Sequence, residues 1–238
     1  MRLMRPALAS AAARRLHSRA AAAHDVDAVL QLAFDFQAFG IHVRPLQRRF
    51  ELRALLEELA RRAPRAVLEI GTANGGTLLA FTRLAAPDAH IISIDLPAGP
   101  FGGGYPRWKL PLYRSFAAPR QRLDLLRADS HRPETLAQVR SLLDERPLDF
   151  LFIDADHTCD GVREDYEAYG PLLRPGGLIA FHDILPPAPP FRQAGEDATN
   201  ELPGEVWRLW AQLRDRLPSR EIIDPSGSGC MGIGLITV

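Results

Sequence analysis

Lysine is nearly absent from this sequence of 238 residues, in which Lys109 stands alone beside 28 arginines. Basic and acidic side chains number 29 each, so an excess of positive charge is also missing. That balance argues against a nucleic-acid binder and against a polybasic membrane-surface protein. Cys159 and Cys230 are too few for a disulfide framework, and no apolar run approaches the roughly 18 residues that span a bilayer. We therefore expect a cytoplasmic protein without nucleic-acid or membrane partners.

The balanced total hides an uneven distribution of charge. Residues 1–24 contain five arginines and no acid, whereas residues 25–238 contain 24 basic and 29 acidic side chains. The Ala- and Arg-rich composition of residues 1–24 is similar to that of an organellar transit peptide. Because the same bias runs through the whole chain, we favour a disordered leader outside the fold. An organellar location stays the alternative to the cytoplasm.

Two helices and then five short strands are predicted for the rest of the chain. Apolar side chains at helical spacing in 25–40 and 46–62 predict an N-terminal helical cap over 25–64. Continuous rather than alternating apolar runs follow, as is typical of parallel strands buried on both faces. The predicted strands are Ala66–Ile70, His90–Ile94, Leu123–Leu126, Leu148–Ile153 and Gly177–Phe181.

The alternation of these strands with helical stretches predicts an α/β fold, a doubly wound, Rossmann-like, mostly parallel sheet over residues 65–238. Glu221–Asp224 and Gly232–Val238 are predicted to close it as an antiparallel hairpin. A carboxylate lies at the end of each predicted strand, and these acids are Glu69, Asp95, Asp129, Asp154 and Asp183. Ligands of such sheets bind outside the carboxyl ends of the strands. We therefore expect the functional crevice there, beneath long insertions at 97–119 and 185–203.

A glycine-rich turn follows the first predicted strand in the stretch LEIGTANGGT, residues 68–77. Glycines such as Gly71 and Gly75 let a backbone approach a ligand closely, and the N-terminus of the following helix offers free N–H groups. Asp95 comes 24 residues after Gly71, where a carboxylate accepts hydrogen bonds from ribose hydroxyls. NAD and S-adenosylmethionine both fit this pattern, but the turn lacks the G-x-G-x-x-G spacing of a dinucleotide site.

Five segments, LEIGTANGG, ISID, RADSH, DFLFIDADH and LLRPGGLIAFHD, together resemble the class I S-adenosylmethionine-dependent methyltransferases. The resemblance is to the small-molecule O-methyltransferase branch, which includes cephalosporin-hydroxylase-like and macrolide-sugar methyltransferases. It implies S-adenosylmethionine as cofactor and O-methylation of a small hydroxylated molecule such as a sugar, a phenol or a natural product. The implied cofactor-binding residues are Glu69, Gly71, Thr72, Ala73 and Gly75 for the methionine part, Asp95 for the ribose, and Asp129 and Ser130 for the adenine. Ala73 departs from the family, which has a glycine there.

The same resemblance implies a candidate metal and catalytic site. Several members of the branch bind Mg²⁺ through acids that correspond to Asp154, His182 and Asp183. Mg²⁺ prefers oxygen ligands, so the histidine leaves three alternatives open: Mg²⁺ held by Asp154 and Asp183, another divalent ion such as Mn²⁺ or Fe²⁺, or no metal. Without a metal, His157 or His182 is the candidate general base. The candidate catalytic residues are therefore Asp154, His157 and His182.

Other functions and arrangements stay open from the sequence. A non-catalytic S-adenosylmethionine-binding module would keep Gly71 and Asp95 but lack an acid/base group. A nicotinamide-dependent oxidoreductase is a further alternative, which the glycine spacing disfavours. The aromatic side chains of the 97–119 insertion either stack on the acceptor or pack the insertion onto the body. The sequence determines neither the acceptor nor whether the protein forms a homo-oligomer.

Overall fold

The computed structural model describes residues 5–97, 104–186, 204–226 and 231–238. Its N-terminal part is helical except for one small hairpin. The elements there are α1 (Arg5–Ala20), α2 (Val26–Asp35), β1 (Gln37–Ala38), β2 (Ile41–His42) and α3 (Arg49–Arg62). The two predicted cap helices are present as α2 and α3. The first of them ends earlier than predicted, because Phe36 has extended backbone and Gly40, with a φ of +73°, turns the hairpin.

The remaining elements form an α/β body. Its helices are α4 (Gly76–Leu84), α5 (Leu110–Arg114), α6 (Pro133–Leu143), α7 (Cys159–Tyr169) and α8 (Val206–Arg214). Its strands are β3 (Ala66–Ile70), β4 (His90–Ile94), β5 (Arg122–Leu126), β6 (Leu148–Ile153), β7 (Leu173–His182), β8 (Ser219–Ile222) and β9 (Ile233–Thr237). These strands form one seven-stranded sheet in the order β5-β4-β3-β6-β7-β9-β8.

This sheet confirms the predicted fold class. Strands β3 to β7 pair in parallel, and β9 runs antiparallel between β7 and β8. The predicted runs coincide with β3, β4 and β6 and differ by one residue at β5. Strand β7 begins four residues earlier than predicted, at Leu173. Its pairing with β6 shifts in register between Leu148 and Phe150, opposite the Pro175-Gly176 stretch that hid the start of the strand.

Residues 5–20 differ from the predicted disordered leader. They form α1, and the face that this helix buries consists of Ala9, Ala12, Ala13, Leu16 and Ala20. That face packs mainly on α5, and the Arg5 guanidinium lies 5.7 Å from the centre of the Trp108 ring. Alanine is the strongest helix former, and its small side chain lets two helices lie close together. The prediction is wrong here because a biased composition and an alanine packing face look alike in the sequence.

Strand β3 lies in the middle of the sheet, between β4 and β6, where the strand order reverses. Ligands of open α/β sheets bind at such a point. The turn after β3 passes so close to the end of β6 that a Cβ at Gly71 would lie 1.9 Å from the carbonyl oxygen of Asp154. Gly71 also has a φ of +99°, which favours glycine. The glycine therefore lets two chain segments meet at the floor of the expected crevice.

The described part of the 97–119 insertion packs onto the body and includes α5. Tyr105, Tyr113 and Phe116 are buried. The ring centroids lie 4.7 Å apart in the first pair, Tyr105 and Tyr113, and 5.3 Å apart in the second, Tyr113 and Phe116. These three aromatic side chains therefore pack the insertion onto the body, which is one of the two roles that the sequence left open.

Parts of both insertions, 98–103 and 187–203, lie outside the described residues. Their expected position over the crevice therefore stays a prediction. Within the described ranges, no helix combines the length and the apolar character needed to cross a membrane. The cytoplasmic location also stays a prediction.

Candidate functional site

A cavity of about 500 Å³ opens at the carboxyl edge of the sheet, where the strand order reverses. The turn after β3 and the ends of β4 and β5 line one side of it, and the ends of β6 and β7 line the other. The predicted site residues that line this cavity are Gly71, Thr72, Ala73, Asp95, Asp129, Ser130, Asp154, His157, His182 and Asp183. Glu69 and Gly75 are the two predicted residues that do not line it.

The turn after β3 is held in place by side chains from two other segments. The Ala73 N–H donates a hydrogen bond to Asp95 Oδ2 over 3.0 Å, and the Tyr113 hydroxyl donates one to the Ala73 carbonyl over 2.9 Å. Ala73 has a φ of +43°, in the left-handed region. Gly75 packs against the insertion, since a Cβ there would lie 2.8 Å from the Tyr113 ring. Gly75 therefore allows the packing of the insertion and does not line the cavity.

Glu69 lies beneath this turn and is fully buried. Its carboxyl group accepts hydrogen bonds from Thr77 Oγ1 over 2.6 Å and from Ser93 Oγ over 2.9 Å. Burial raises the pKa of Glu69 to about 8, so the carboxyl group is mostly protonated at neutral pH. Glu69 therefore fastens the start of α4 to β4. This supporting position differs from the direct cofactor contact that the family resemblance implies.

Asp95, Asp129 and Ser130 line the β4–β5 side of the cavity. Burial raises the pKa of Asp95 to about 6, although a backbone N–H stabilises the charged form. Asp129 Oδ1 accepts a hydrogen bond from the His131 N–H over 3.0 Å, and the Ser130 carbonyl accepts one from the Tyr169 hydroxyl over 2.7 Å. We call these three residues, together with the turn after β3, the nucleoside side of the cavity, after the role that the family resemblance implies for them.

Four titratable side chains meet on the β6–β7 side, and we call Asp154, His157, His182 and Asp183 the acid–histidine cluster. His182 Nδ1 lies 3.1 Å from Asp154 Oδ1 and 3.2 Å from Asp183 Oδ1. His157 Nδ1 lies 3.2 Å from Asp183 Oδ2, and its Nε2 lies 3.7 Å from Asp154 Oδ1. Both imidazoles therefore lie between the same two carboxylates. Asp183 also has a φ of +60°, a backbone strain that is common at functional sites.

The two histidines differ in burial. Burial of His182 opposes its protonation, but the charges of Asp183 and Asp154 outweigh that effect and raise the pKa of His182 to about 10. Burial likewise opposes the charge of Asp154, yet the positive charge of His182 holds the pKa of Asp154 below its ordinary value. His182 is therefore protonated at neutral pH and donates to the carboxylates. His157 lines the cavity, and its side chain is 21% exposed.

Gln47 is a site residue that the sequence did not reveal. It lies between β2 and α3, is 5% exposed, and its Nε2 donates a hydrogen bond to Asp154 Oδ2 over 2.5 Å. Its segment is held against the start of α4, where a Cβ at Gly76 would lie 2.3 Å from the Val43 carbonyl oxygen and 2.5 Å from the Pro45 ring. The contact joins residues 107 positions apart. No local motif or periodicity could therefore have marked Gln47.

The acid–histidine cluster also fits a divalent cation. Asp154, His182 and Asp183 each offer one donor atom, and these three atoms lie within 4.8 Å of one another. Carboxylate oxygen and imidazole nitrogen are common ligands of divalent metals. Asp154 and Asp183, the two predicted metal ligands, are thus placed together with His182 as a third donor.

Known proteins with a similar fold include two O-methyltransferases. TomG, an O-methyltransferase of tomaymycin synthesis from Streptomyces achromogenes, was solved with S-adenosylmethionine (SAM). Its TM-score is 0.53 at 19% identity, and the match covers 90% of this chain and 88% of that chain. An O-methyltransferase from Bacillus cereus, solved with S-adenosylhomocysteine (SAH), has a TM-score of 0.53 at 16% identity and covers 90% of each chain. This chain therefore shares its fold with these two O-methyltransferases.

The sequence assigns the family. Residues 68–184, about half of the chain, match the family described as "Methyltransferase domain". The chain thus carries a methyltransferase domain, and the family resemblance found in the sequence is confirmed. Among curated proteins, the uncharacterized protein y4gI of Sinorhizobium fredii is 25% identical over 171 residues, which are 71% of this chain. The matched stretch is only 17% of y4gI, so this chain spans a small part of that relative's length.

Proposed function

We propose that this protein is a SAM-dependent methyltransferase that methylates a hydroxyl group of a small molecule. The observation that carries the proposal is a single cavity in which the nucleoside side and the acid–histidine cluster adjoin at the Gly71–Asp154 contact. Methyl transfer requires a donor and an acceptor in line with each other, and such a junction brings them together. SAM and SAH in the similar structures from S. achromogenes and B. cereus support the same assignment.

In this proposal the nucleoside side holds the cofactor. The contacts are Gly71, Thr72 and Ala73 for the methionine part, Asp95 for the ribose, and Asp129 and Ser130 for the adenine. Asp95 is suited to its role because a buried carboxylate accepts two hydroxyl hydrogen bonds in a site shielded from water. Glu69 and Gly75 support the cofactor site without lining it. Glu69 holds the start of α4 through its hydrogen bond with Thr77, and Gly75 leaves space for Tyr113 to pack against the turn.

His157 is the proposed general base. Its imidazole lies at the cavity with Nδ1 toward Asp183, whose carboxylate orients the ring. The acceptor oxygen attacks the methyl carbon of the sulfonium, a C–O bond forms as the S–C bond breaks, and the hydroxyl proton passes to His157. SAH, now a neutral thioether, and the methylated acceptor then leave. His182 holds the carboxylates of Asp154 and Asp183 in place.

Asp154 and Asp183 are also the residues that would hold a divalent cation, which would supply a Lewis acid that lowers the pKa of the acceptor hydroxyl.

Isothermal titration calorimetry with SAM, SAH and NAD tests the cofactor assignment. We expect SAM and SAH each to bind with one site per chain and NAD to show no binding. If neither sulfur nucleoside binds, the proposal is wrong. Binding of NAD alone would favour the nicotinamide-dependent oxidoreductase instead.

A screen with methyl-labelled SAM against phenols, sugars and hydroxylated natural products tests the reaction. We expect label transfer to a hydroxyl group and one SAH formed for each methylated product. Tight SAM binding without transfer to any compound of such a library would favour the non-catalytic binding module.

A further inference from the structure

The acid–histidine cluster contains nitrogen as well as oxygen donors. His182 Nδ1 lies within 3.2 Å of both carboxylates, and the His157 ring lies between the same two groups. His182 is 4% exposed and Asp183 is 8% exposed, so the donors are fixed by packing. A ligand that enters this cluster from the cavity therefore meets two carboxylates and at least one imidazole.

Gln47 places a further amide group beside Asp154. Its Nε2 donates to Asp154, whereas the Oε1 of the same amide is buried and has no hydrogen-bond partner among the described residues. Buried polar atoms without partners are uncommon, and an ion or a water molecule is a usual explanation. The unpartnered Gln47 oxygen therefore indicates that an ion or a water molecule binds beside Asp154.

We propose that the acid–histidine cluster binds a first-row transition-metal dication, such as Mn²⁺, Fe²⁺ or Co²⁺, and discriminates against Mg²⁺. Mg²⁺ requires an octahedral shell of oxygen ligands, which the imidazole of His182 interrupts. Imidazole suits the transition metals, and a mixed set of carboxylates and imidazoles with open positions is typical of Fe²⁺ sites. This inference rests on the proposed function for the place of the cluster in the reaction, but ion binding itself requires no cofactor.

A competing explanation is that the protonated His182 described above neutralises the carboxylates and leaves no room for a cation. A metal ion that uses this imidazole must displace its proton. The distances of 3.1–3.2 Å between His182 and the two carboxylates fit this explanation as ion pairs. The two explanations differ in whether a free metal ion binds, so direct measurement separates them.

Metal binding is measured on the full chain after treatment with EDTA and desalting. MnCl₂, CoCl₂ and MgCl₂ are titrated separately by calorimetry, and the visible absorption of the Co²⁺ complex reports on nitrogen ligands. We expect one Mn²⁺ or Co²⁺ per chain, bound at least about tenfold more tightly than Mg²⁺. If no ion binds, or if Mg²⁺ binds as tightly as Mn²⁺, the inference is wrong.

Substitutions at His182 and Gln47 test the donor set. H182D makes the set all-oxygen and should remove the preference for Mn²⁺ over Mg²⁺, whereas H24D, the same change at an exposed histidine, should not. Q47M keeps the shape of the side chain without its oxygen and should weaken Co²⁺ binding by about 10–100-fold. Q31M, the same substitution at an exposed glutamine, is the control and should leave Co²⁺ binding unchanged. If Q47M and H182D both fold and leave the metal affinities unchanged, the donor set is wrong.

Titration of SAH into the same preparations separates this inference from the proposed function. Retained SAH binding without metal binding overturns the metal site alone. Retained metal binding without SAH binding overturns the proposed function alone. Should H182D fail to fold, as judged by circular dichroism, the wild-type Co²⁺ spectrum and the Q47M titration still decide the question.

Discussion

The nucleoside side and the acid–histidine cluster share one cavity but are built differently. On the nucleoside side the ends of β4 and β5 each contribute one carboxyl group, Asp95 and Asp129, and a backbone N–H holds Asp95 in place. In the cluster, four titratable side chains from two neighbouring strand ends lie within 3.7 Å of a partner of opposite type. The nucleoside side is therefore a surface of separately held groups, whereas the acid–histidine cluster consists of titratable side chains that contact one another.

This difference corresponds to two tasks. A ligand of fixed shape is bound by groups that are already in place before it arrives, such as backbone N–H groups and single acceptors. Proton transfer requires a titratable group in reach of the substrate, and the cluster supplies His157 with the Asp183 carboxylate beside its Nδ1. Substitutions in the cluster should therefore lower the rate of methyl transfer, whereas substitutions on the nucleoside side should weaken cofactor binding.

The largest effect is expected from H157Q. Glutamine keeps much of the imidazole's volume but cannot accept the acceptor's proton, so the rate of methyl transfer should fall by about 10²–10⁴-fold. The SAH affinity should be unchanged, because His157 lies outside the nucleoside side. Single-turnover transfer and SAH calorimetry measure the two quantities, with H24Q at an exposed position as control. If H157Q lost as much SAH affinity as it lost rate, the cluster and the nucleoside side would not have the separate roles proposed here.

The next effect is expected from D95N. Replacing the carboxylate should weaken SAH binding by about 1–3 kcal/mol, the range for hydrogen bonds to charged groups. The pKa of Asp95 is about 6, and the ligand binds the charged form, so wild-type SAH affinity should fall as the pH drops below 6. D95N should lose that pH dependence.

Calorimetry between pH 5 and 8 checks both statements about Asp95. The exposed carboxylate of Asp215 provides the matched control, D215N. If wild type and D95N show the same pH profile, Asp95 does not hold the ligand in its charged form.

A smaller effect is expected from E69Q, which tests the support of the nucleoside side. The pKa of Glu69 is raised from an ordinary value of 4.5 to about 8 in the folded protein. The unfolded chain therefore releases this proton at lower pH, so the stability contributed by the protonated form is full below pH 4.5 and is lost as the pH rises toward 8. E69Q should flatten that part of the pH dependence of the unfolding free energy.

Denaturant unfolding at several pH values measures this effect of Glu69. The exposed Glu167 offers the control E167Q, which should keep the wild-type profile. A profile for E69Q as steep as that of wild type would show that Glu69 is charged in the folded protein.

The smallest effect is expected from A73G. Ala73 has a φ of +43°, which costs an alanine about 1–2 kcal/mol relative to right-handed backbone. Glycine relieves this cost but loses more entropy on folding, so A73G should change the unfolding free energy by less than about 1 kcal/mol and in the stabilising direction. A137G, in the exposed face of α6, should instead destabilise by about 1 kcal/mol. Equal losses for the two variants would contradict the account of Ala73.

Much of the sheet was predictable from the sequence because its strands are buried on both faces. Strands β3, β4 and β6 appear as continuous apolar runs, and their ends are marked by the acids that follow them. Strand β7 was harder to delimit, since Pro175 and Gly176 are unusual within a strand and hide its first residues. Helix α1 was missed because alanines that pack on α5 cannot be told from a compositional bias.

The candidate site was predictable only where a motif carries it. Gly71, Asp95, Asp154 and Asp183 follow strands directly, so the topology places them at one edge. Glu69 has the same sequence signal, but its side chain points into the body, where it bonds to Thr77 and Ser93. Alternation along a strand decides that direction, and a continuous apolar run gives no sign of it.

The sequence alone determined the α/β class, the edge at which the acids gather and the methyltransferase family, because these depend on periodicity and on motifs within short stretches. Tertiary structure decided which side chains meet. It turned Glu69 inward, set His182 between Asp154 and Asp183, and brought Gln47 across 107 positions to Asp154. The physical reason is that burial and charge–charge contact, which fix protonation and ligand preference, arise only when distant segments pack together.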